Sequence, residues 1–268
     1  MSAIEAIILG LIQGLTEFLP VSSSGHLAIG KALFGIETTD LSFEVAVHAA
    51  TVLATIVVFR KDIWKLLCGL FKWQMNSETR YILLILLSMV PVFIVGVFFK
   101  DYVEELFGEG LVVVGGALVL TSGLLFFSEM LTLRRAAAGD EGGKVTWRSA
   151  LWMGVAQAVA VIPGLSRSGS TIATGLLCGV RKEEVTRFSF LMVLIPILGE
   201  AFLDVVGGEF SASAVGVLPL LVGFVAAFVS GLFACKVMIA LVRKAKLHWF
   251  AFYCALVGLA CLIYSFVS

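Results

Sequence analysis

Leu15-Thr-Glu-Phe-Leu-Pro-Val-Ser-Ser-Ser-Gly-His26 is the stretch from which the rest of the chain can be read. It holds a carboxylate (Glu17), three hydroxyls (Ser22, Ser23, Ser24), a glycine (Gly25) and an imidazole (His26), with apolar sequence on both sides. Pro20 stops one helix, because it has no N–H and its ring collides with the preceding turn. Ser22 can cap the next helix by accepting a bond from a free N–H of its first turn. Hydroxyls and helix-start amides then face one point, and such a point attracts anions, phosphate above all. A second copy lies downstream. Gly154-Val-Ala-Gln157 echoes Gly10-Leu-Ile-Gln13, and Ser166-Arg-Ser-Gly-Ser170 echoes Ser22-Ser-Ser-Gly-His26 at the same offset, each after a proline (Pro163, Pro20). The pattern reads as an internal duplication whose copies diverged. One keeps Glu17 and His26; the other gains Arg167.

The chain is 60% hydrophobic and 14% charged, with a mean hydropathy of +1.05. A soluble domain of this composition would aggregate, so that class is excluded. Several apolar runs reach the ~20 residues that cross a bilayer. The reading is an all-α integral membrane protein, one membrane domain over 1–268. A formal net charge of zero gives no reason to expect nucleic acid or another polyanion as partner. The start carries Glu5 and no early Lys or Arg, unlike a signal peptide. The five cysteines are scattered without a CxxC and read as small hydrophobes in apolar helices.

Residues Ala3 to Leu19 form an apolar helix with Gln13 and Glu17 four apart on one face. A short helix follows to about Phe34, and the second broken pair covers about Ser149–Val180. Neither short helix spans alone, so each pair reads as a re-entrant hairpin, whose broken backbone must be buried in protein or line a wet cavity. Spans are expected at about Phe43–Phe59, Tyr81–Phe99 (with Pro91), Leu111–Leu131, Phe188–Val206, Val215–Val242 and from Trp249 onward, with Ala136–Gly143 as linker. Lys and Arg collect near 60–80, 132–148, 181–187 and 243–246, which places those loops inside. The acidic loops near 101–109 and 207–210 go outside. Both termini then lie outside, and the hairpins enter from opposite faces. About six transmembrane helices plus two re-entrant hairpins make an inverted repeat of about 1–135 and 145–268, whose hairpin tips meet near the midplane.

At that meeting point stand Gln13, Glu17, Ser22, Ser23, Ser24 and His26 against Ser166, Arg167, Ser168, Ser170 and Thr171. Arginine at membrane depth costs ~2.5–3.5 kcal/mol or more and is rarely left unpaired. Its planar fork suits phosphate; an ion pair with Glu17 that only ties the halves together is the competing reading. Glu17 could share a divalent cation with the Gln13 carbonyl, or act as a base. His26 could be a base or the attacking nucleophile. His48 reads as a packing or hydrogen-bonding residue. Glu200 and Asp204, four apart, either line the cavity or pair locally. Trp64, Trp73, Trp147 and Trp249 sit near span ends as interfacial anchors.

Gln13-Gly-Leu-Thr-Glu17-Phe-Leu-Pro-Val-Ser-Ser-Ser-Gly-His26 resembles the first motif of the bacterial undecaprenyl-pyrophosphate phosphatases of the bacitracin-resistance type. Pro163-Gly-Leu-Ser-Arg-Ser-Gly-Ser-Thr171 resembles their second, Pro-Gly-x-Ser-Arg-Ser-x-x-Thr. The resemblance covers essentially the whole chain. It implies a phosphatase of the bacterial inner membrane that removes the terminal phosphate of undecaprenyl pyrophosphate, recycling the cell-wall lipid carrier, with its active site open to the outer face. Glu17 and His26 would be catalytic with Ser23 close by. Arg167 would bind the diphosphate, with Ser166 and Thr171 near it; Ser22, Ser24, Gly25 and Ser168 complete the candidate substrate-binding set read from the two strips. A divalent cation, Mg2+ or Ca2+, is implied at Glu17 and Gln13. Gln13 is the less acidic of the motif's two options and weakens a two-carboxylate site. Partners are undecaprenyl pyrophosphate and membrane lipid, with a homodimer allowed. The nucleophile stays open among His26, Ser23 and water. The rival reading is a transporter or flippase of an anionic prenyl lipid phosphate, since such carriers also use inverted repeats with broken helices. A carrier needs Arg167 and the helix starts but not both Glu17 and His26.

Overall fold

The computed structural model describes residues 1–36, 42–99, 102, 106, 110–199, 215–244 and 247–267, the side chains of 239–244 excepted. The named helices among them are α1 (Ala3–Thr16), α2 (Ser23–Phe34), α3 (Ser42–Leu70), α4 (Ser77–Phe98), α5 (Leu111–Ala137), α6 (Trp147–Val159), α7 (Arg167–Leu177), α8 (Lys182–Met192), α9 (Val217–Lys244) and α10 (His248–Val267). Side-chain caps set many of the starts. Ser2 and Glu5 form a capping box on α1, and Thr146 with Ser149 forms another on α6. Asn76 caps α4. Gly35, at φ 63°, closes α2 in the left-handed region that glycine takes without strain.

Helices α3, α4, α5, α9 and α10 are long and apolar enough to cross a membrane. The chain is a multi-pass membrane protein. On α4 only Ile85 and Ser88 are buried, while Leu83, Leu86, Val90, Phe93 and Val97 face outward. That surface suits lipid, where exposed apolar side chains carry no penalty. Hydroxyls inside these helices are satisfied locally. Those of Thr51, Thr55, Ser88, Thr121 and Ser230 donate to carbonyls three or four residues back.

Several sequence boundaries shift: α1 ends at Thr16 rather than Leu19, and α5 runs past Leu131 to Ala137, into the expected linker Ala136–Gly143. Helix α3 passes Phe59 and continues through Arg60, Lys61 and Lys65 to Leu70. Lys and Arg are good helix formers, and no Gly or Pro interrupts before Gly69. The expected span Phe188–Val206 begins instead with α8 at Lys182, turns at Val193 and is helical again over 194–199. The rest of that span, Glu200, Asp204, the acidic loops at 101–109 and 207–210 apart from Tyr102 and Leu106, and Lys246 lie outside the described residues.

Helix α1 packs on α9, α3 on α9, α4 on α6, α5 on α10, and α7 on both α5 and α6. Small residues let two of these backbones approach. A Cβ at Gly10 would overlap the Gly223 carbonyl, and one at Gly14 would overlap the Ser230 hydroxyl and the Ala227 carbonyl. Gly10 and Gly14 are four apart, as are Gly223, Ala227 and Gly231, the small-residue spacing that brings helices together in lipid. At one end of the molecule the Gly143 N–H donates to the Gly179 carbonyl at 2.8 Å, and the Arg181 N–H donates back to the Gly143 carbonyl at 3.0 Å. The Arg135 guanidinium donates to the Leu176 and Leu177 carbonyls at 2.8 and 2.9 Å, satisfying the open end of α7. Arg187 pairs with Asp62, tying α8 to α3. The buried Glu129 carboxylate on α5 receives the His248 N–H at the start of α10.

The α1–α9 seam yields a direct expectation. Gly14→Val forces both backbones apart and should cost about 1–3 kcal/mol or more, as overpacking does. A thermal melt in detergent should show the lowered midpoint, whereas Gly96→Val, which meets nothing within 4 Å, should not.

Candidate functional site

The two helix breaks face each other. Helix α1 ends at Glu17, whose N–H still bonds the Gln13 carbonyl at 2.9 Å; Pro20 prevents continuation. Ser22, at φ 69°, turns the chain and accepts the Gly25 N–H at 3.2 Å. A serine in that region is strained, and such strain gathers at functional positions. Ser166 caps α7 in the same manner, accepting the Gly169 N–H at 3.0 Å. The hydroxyls pair alike in both copies, Ser22 with Ser24 at 3.3 Å and Ser166 with Ser168 at 3.4 Å. Bonds cross between the breaks. The Ser168 hydroxyl donates to the Leu19 carbonyl at 3.0 Å, and the Gly164 N–H donates to Ser24 Oγ at 3.5 Å.

Glu17 is the hub. Its Oε2 accepts Gln13 Nε2 at 2.9 Å and the Ser23 hydroxyl at 2.5 Å, and its Oε1 lies 3.2 Å from Arg167 Nη2. The Glu17 and Arg167 side chains are only 10% and 26% exposed, so each charge depends on the other. His48 Nε2 stands 3.8 Å from Glu17 Oε2, while its Nδ1 donates to the Glu44 carbonyl at 2.8 Å. The ion pair walls two chambers. One is lined by Thr16, Ser22, Ser23, Ser24, Leu165 and Ser166 together with Glu17, Arg167 and Ser168. The first turns of α2 and α7 border it, bringing two helix N-termini and a guanidinium to one space. That is the arrangement of an anion site. The other, the larger of the two, shares only Glu17, Arg167 and Ser168 with it.

Of the residues singled out in sequence, Gln13, Glu17, Ser22, Ser23, Ser24, Ser166, Arg167 and Ser168 converge here. Gly25 supplies its N–H to the Ser22 cap. Thr171 and Gln157 border the larger chamber. Ser170 is buried, and its hydroxyl has no partner. His26 lines neither chamber. Its Nδ1 donates to the Ser22 carbonyl at 2.7 Å, and its Nε2 lies 2.7 Å from the Tyr253 hydroxyl, with the rings stacked at 5.6 Å. Sequence reading did not single out Tyr253 and gave His48 a packing or hydrogen-bonding role; nothing in the local pattern links α3 to Glu17 or α10 to His26. Among the described residues no three His, Cys, Asp or Glu side chains gather as a metal cluster. The Gln13 amide oxygen, however, is buried without a partner, beside the Glu17 carboxylate. One carboxylate and one free carbonyl oxygen fit a hard cation that takes its other oxygens from a diphosphate and water.

A charge-swap cycle tests the hub. Arg167→Ala leaves Glu17 buried and unpaired, at a cost of about 3–5 kcal/mol. Adding Glu17→Gln should recover most of that loss in a thermal melt, which two independent side chains would not do.

The family model described as bacitracin resistance protein BacA matches residues 6–260. A Bacteroides thetaiotaomicron protein named undecaprenyl-diphosphatase is 57% identical over 267 residues, covering 98% of this chain and 99% of its own. One of the same name from Parabacteroides distasonis is 58% identical over 263 residues, covering 97% of each chain. A Carboxydothermus hydrogenoformans protein, also so named, is 37% identical over 266 residues, covering 98% of this chain and 97% of its own.

Proposed function

The chain belongs to the bacitracin resistance protein BacA family, and on that premise we propose how its residues hydrolyse undecaprenyl diphosphate to undecaprenyl phosphate and inorganic phosphate. The diphosphate enters the serine-lined chamber. Arg167 and the amides at the starts of α2 and α7 neutralise its charge as the transition state forms, which is most of what phosphoryl transfer asks of a protein. The observation that carries the chemistry is the 2.5 Å contact between the Ser23 hydroxyl and Glu17 Oε2, a nucleophile already hydrogen-bonded to a base. Ser23 Oγ attacks the terminal phosphorus and its proton passes to Glu17. The bridging P–O bond breaks, and undecaprenyl phosphate leaves. Water then attacks the phosphoserine; Glu17 returns its proton to Ser23 Oγ, and both protons of the water leave with the phosphate as dihydrogen phosphate. His26 is a positioning residue that holds the Ser22 carbonyl and so fixes the turn that presents Ser23.

Mg2+ or Ca2+ would be held by Glu17 and the free Gln13 oxygen, where it supplies positive charge to the diphosphate. The site opens to the outer face of the bacterial plasma membrane, on re-entrant hairpins of an inverted repeat. The joining of the segments before α6 and after α7 through Gly143, Gly179 and Arg181 supports a hairpin that returns to its starting side. The exchange in packing, α1 with α9 and α6 with α4, supports the repeat. The basic residues Arg135 and Arg181 at that same end support its placement inside. A carrier would have no use for the Ser23–Glu17 pair.

Ser23→Ala should lower turnover by about a thousandfold or more, and Glu17→Gln by about a hundredfold or more. Rapid quenching of turnover on terminally labelled substrate should trap acid-stable, base-labile label on Ser23. Acid-labile label on histidine, or none at all, would sink serine attack. Gln13→Ala should raise the cation concentration for half-maximal activity about tenfold.

A further inference from the structure

The strained turn between α1 and α2 is braced at both of its ends by a third helix, α10. At the first end the Cys254 thiol donates to the Pro20 carbonyl at 3.5 Å. At the last, one position earlier on α10, the Tyr253 hydroxyl lies 2.7 Å from His26 Nε2, with the two rings stacked 10° from parallel. Between these ends Val21 packs with Cys254, Val114 and Leu118 in one buried cluster. Helix α10 is itself fixed on α5. A Cβ at Gly115 would lie 2.8 Å from the Gly258 carbonyl, and one at Gly258 would lie 2.8 Å from the Gly115 carbonyl. Backbones this close leave α10 little room to shift where it meets the turn.

The chemistry of the groups places the protons along this line. The Ser22 carbonyl only accepts, and it takes two bonds from His26: the backbone N–H at 3.2 Å and Nδ1–H at 2.7 Å. In the neutral imidazole Nε2 is then an acceptor, and the Tyr253 O–H donates to it. Each bond satisfies a polar group that would otherwise stand open among apolar helices. The line ends on the planar peptide unit that joins Ser22 to Ser23. Turning the imidazole turns that plane and carries Ser23 Oγ away from Glu17 Oε2. We propose that Tyr253 is a positioning residue for the hydrolysis, acting through His26 and the Ser22–Ser23 peptide on the nucleophile. Tyr253 itself lines neither chamber. The proposal rests on the serine attack derived above.

The test uses the full chain in lipid nanodiscs with terminally labelled undecaprenyl diphosphate. Phosphate release is followed at steady state, and label on Ser23 by rapid quenching. Tyr253→Phe keeps the ring stack and removes only the O–H. It should lower kcat and the rate of Ser23 labelling about tenfold, the worth of one hydrogen bond, with KM within about twofold. In a His26→Ala background the same change should alter kcat by less than about twofold, because the line it acts through is already cut. Additive losses in that cycle would overturn the proposal, as would a KM that rises while kcat holds. So would unaltered or faster labelling in Tyr253→Phe, the result expected if Nε2, once freed, were the attacking or proton-accepting atom. A wild-type protein that turns over without label on Ser23 would instead overturn the serine attack, and the proposal with it.

Discussion

A buried carboxylate and a buried guanidinium, Glu17 and Arg167, hold this molecule's centre together, and each is tolerable there only because of the other. The pair joins residues 150 positions apart across the meeting of two helix breaks. Much around it serves to bring those breaks within reach. The glycines of α1 let that helix lie against α9, and Gly164, at φ 88°, approaches Val114 so closely that a Cβ would lie 2.6 Å from the Val114 Cα. The Ser22 and Ser166 caps then aim two helix starts at the space the ion pair walls off. In the hydrolysis proposed above, a diphosphate arriving there would offer Arg167 a second anionic partner and free Glu17 for the chemistry.

The same constraint explains how so many polar side chains sit among apolar helices. In hydrocarbon an unsatisfied donor costs more than an unused lone pair. The hydroxyls of α3, α5 and α9 accordingly donate backwards to their own helices and leave acceptor capacity facing inward.

What could be read in the sequence was what local spacing encodes. Gln13 and Glu17 four apart gave a shared face, and the structure bonds them. Pro20 followed by Ser22 gave a break and a cap, and both are present. The serine-rich strips gave two matching helix starts, and Arg167 demanded a partner, which proved to be Glu17. Less legible was whatever depends on long-range packing. His48 comes beside Glu17 because α3 and α1 share α9 as a neighbour, and Tyr253 reaches His26 from α10 across 227 positions. Helix lengths drifted for a different reason. Charged residues mark a membrane boundary but do not end a helix, so α3 continued into sequence expected to be loop.

The place of His26 bears on how any substitution there is interpreted. Its Nδ1 binds the carbonyl of Ser22, a serine held at positive φ directly before Ser23. Its Nε2, the atom that would have to attack, already faces the Tyr253 hydroxyl. Removing the imidazole therefore frees a strained turn and lets Ser23 move away from Glu17, even though the ring lines neither chamber. A displacement of about 1 Å at a reacting atom can cost a hundredfold in rate. Loss of turnover on removing His26 is thus compatible with an imidazole that never touches phosphorus, and the identity of the attacking atom has to be settled by the covalent species formed.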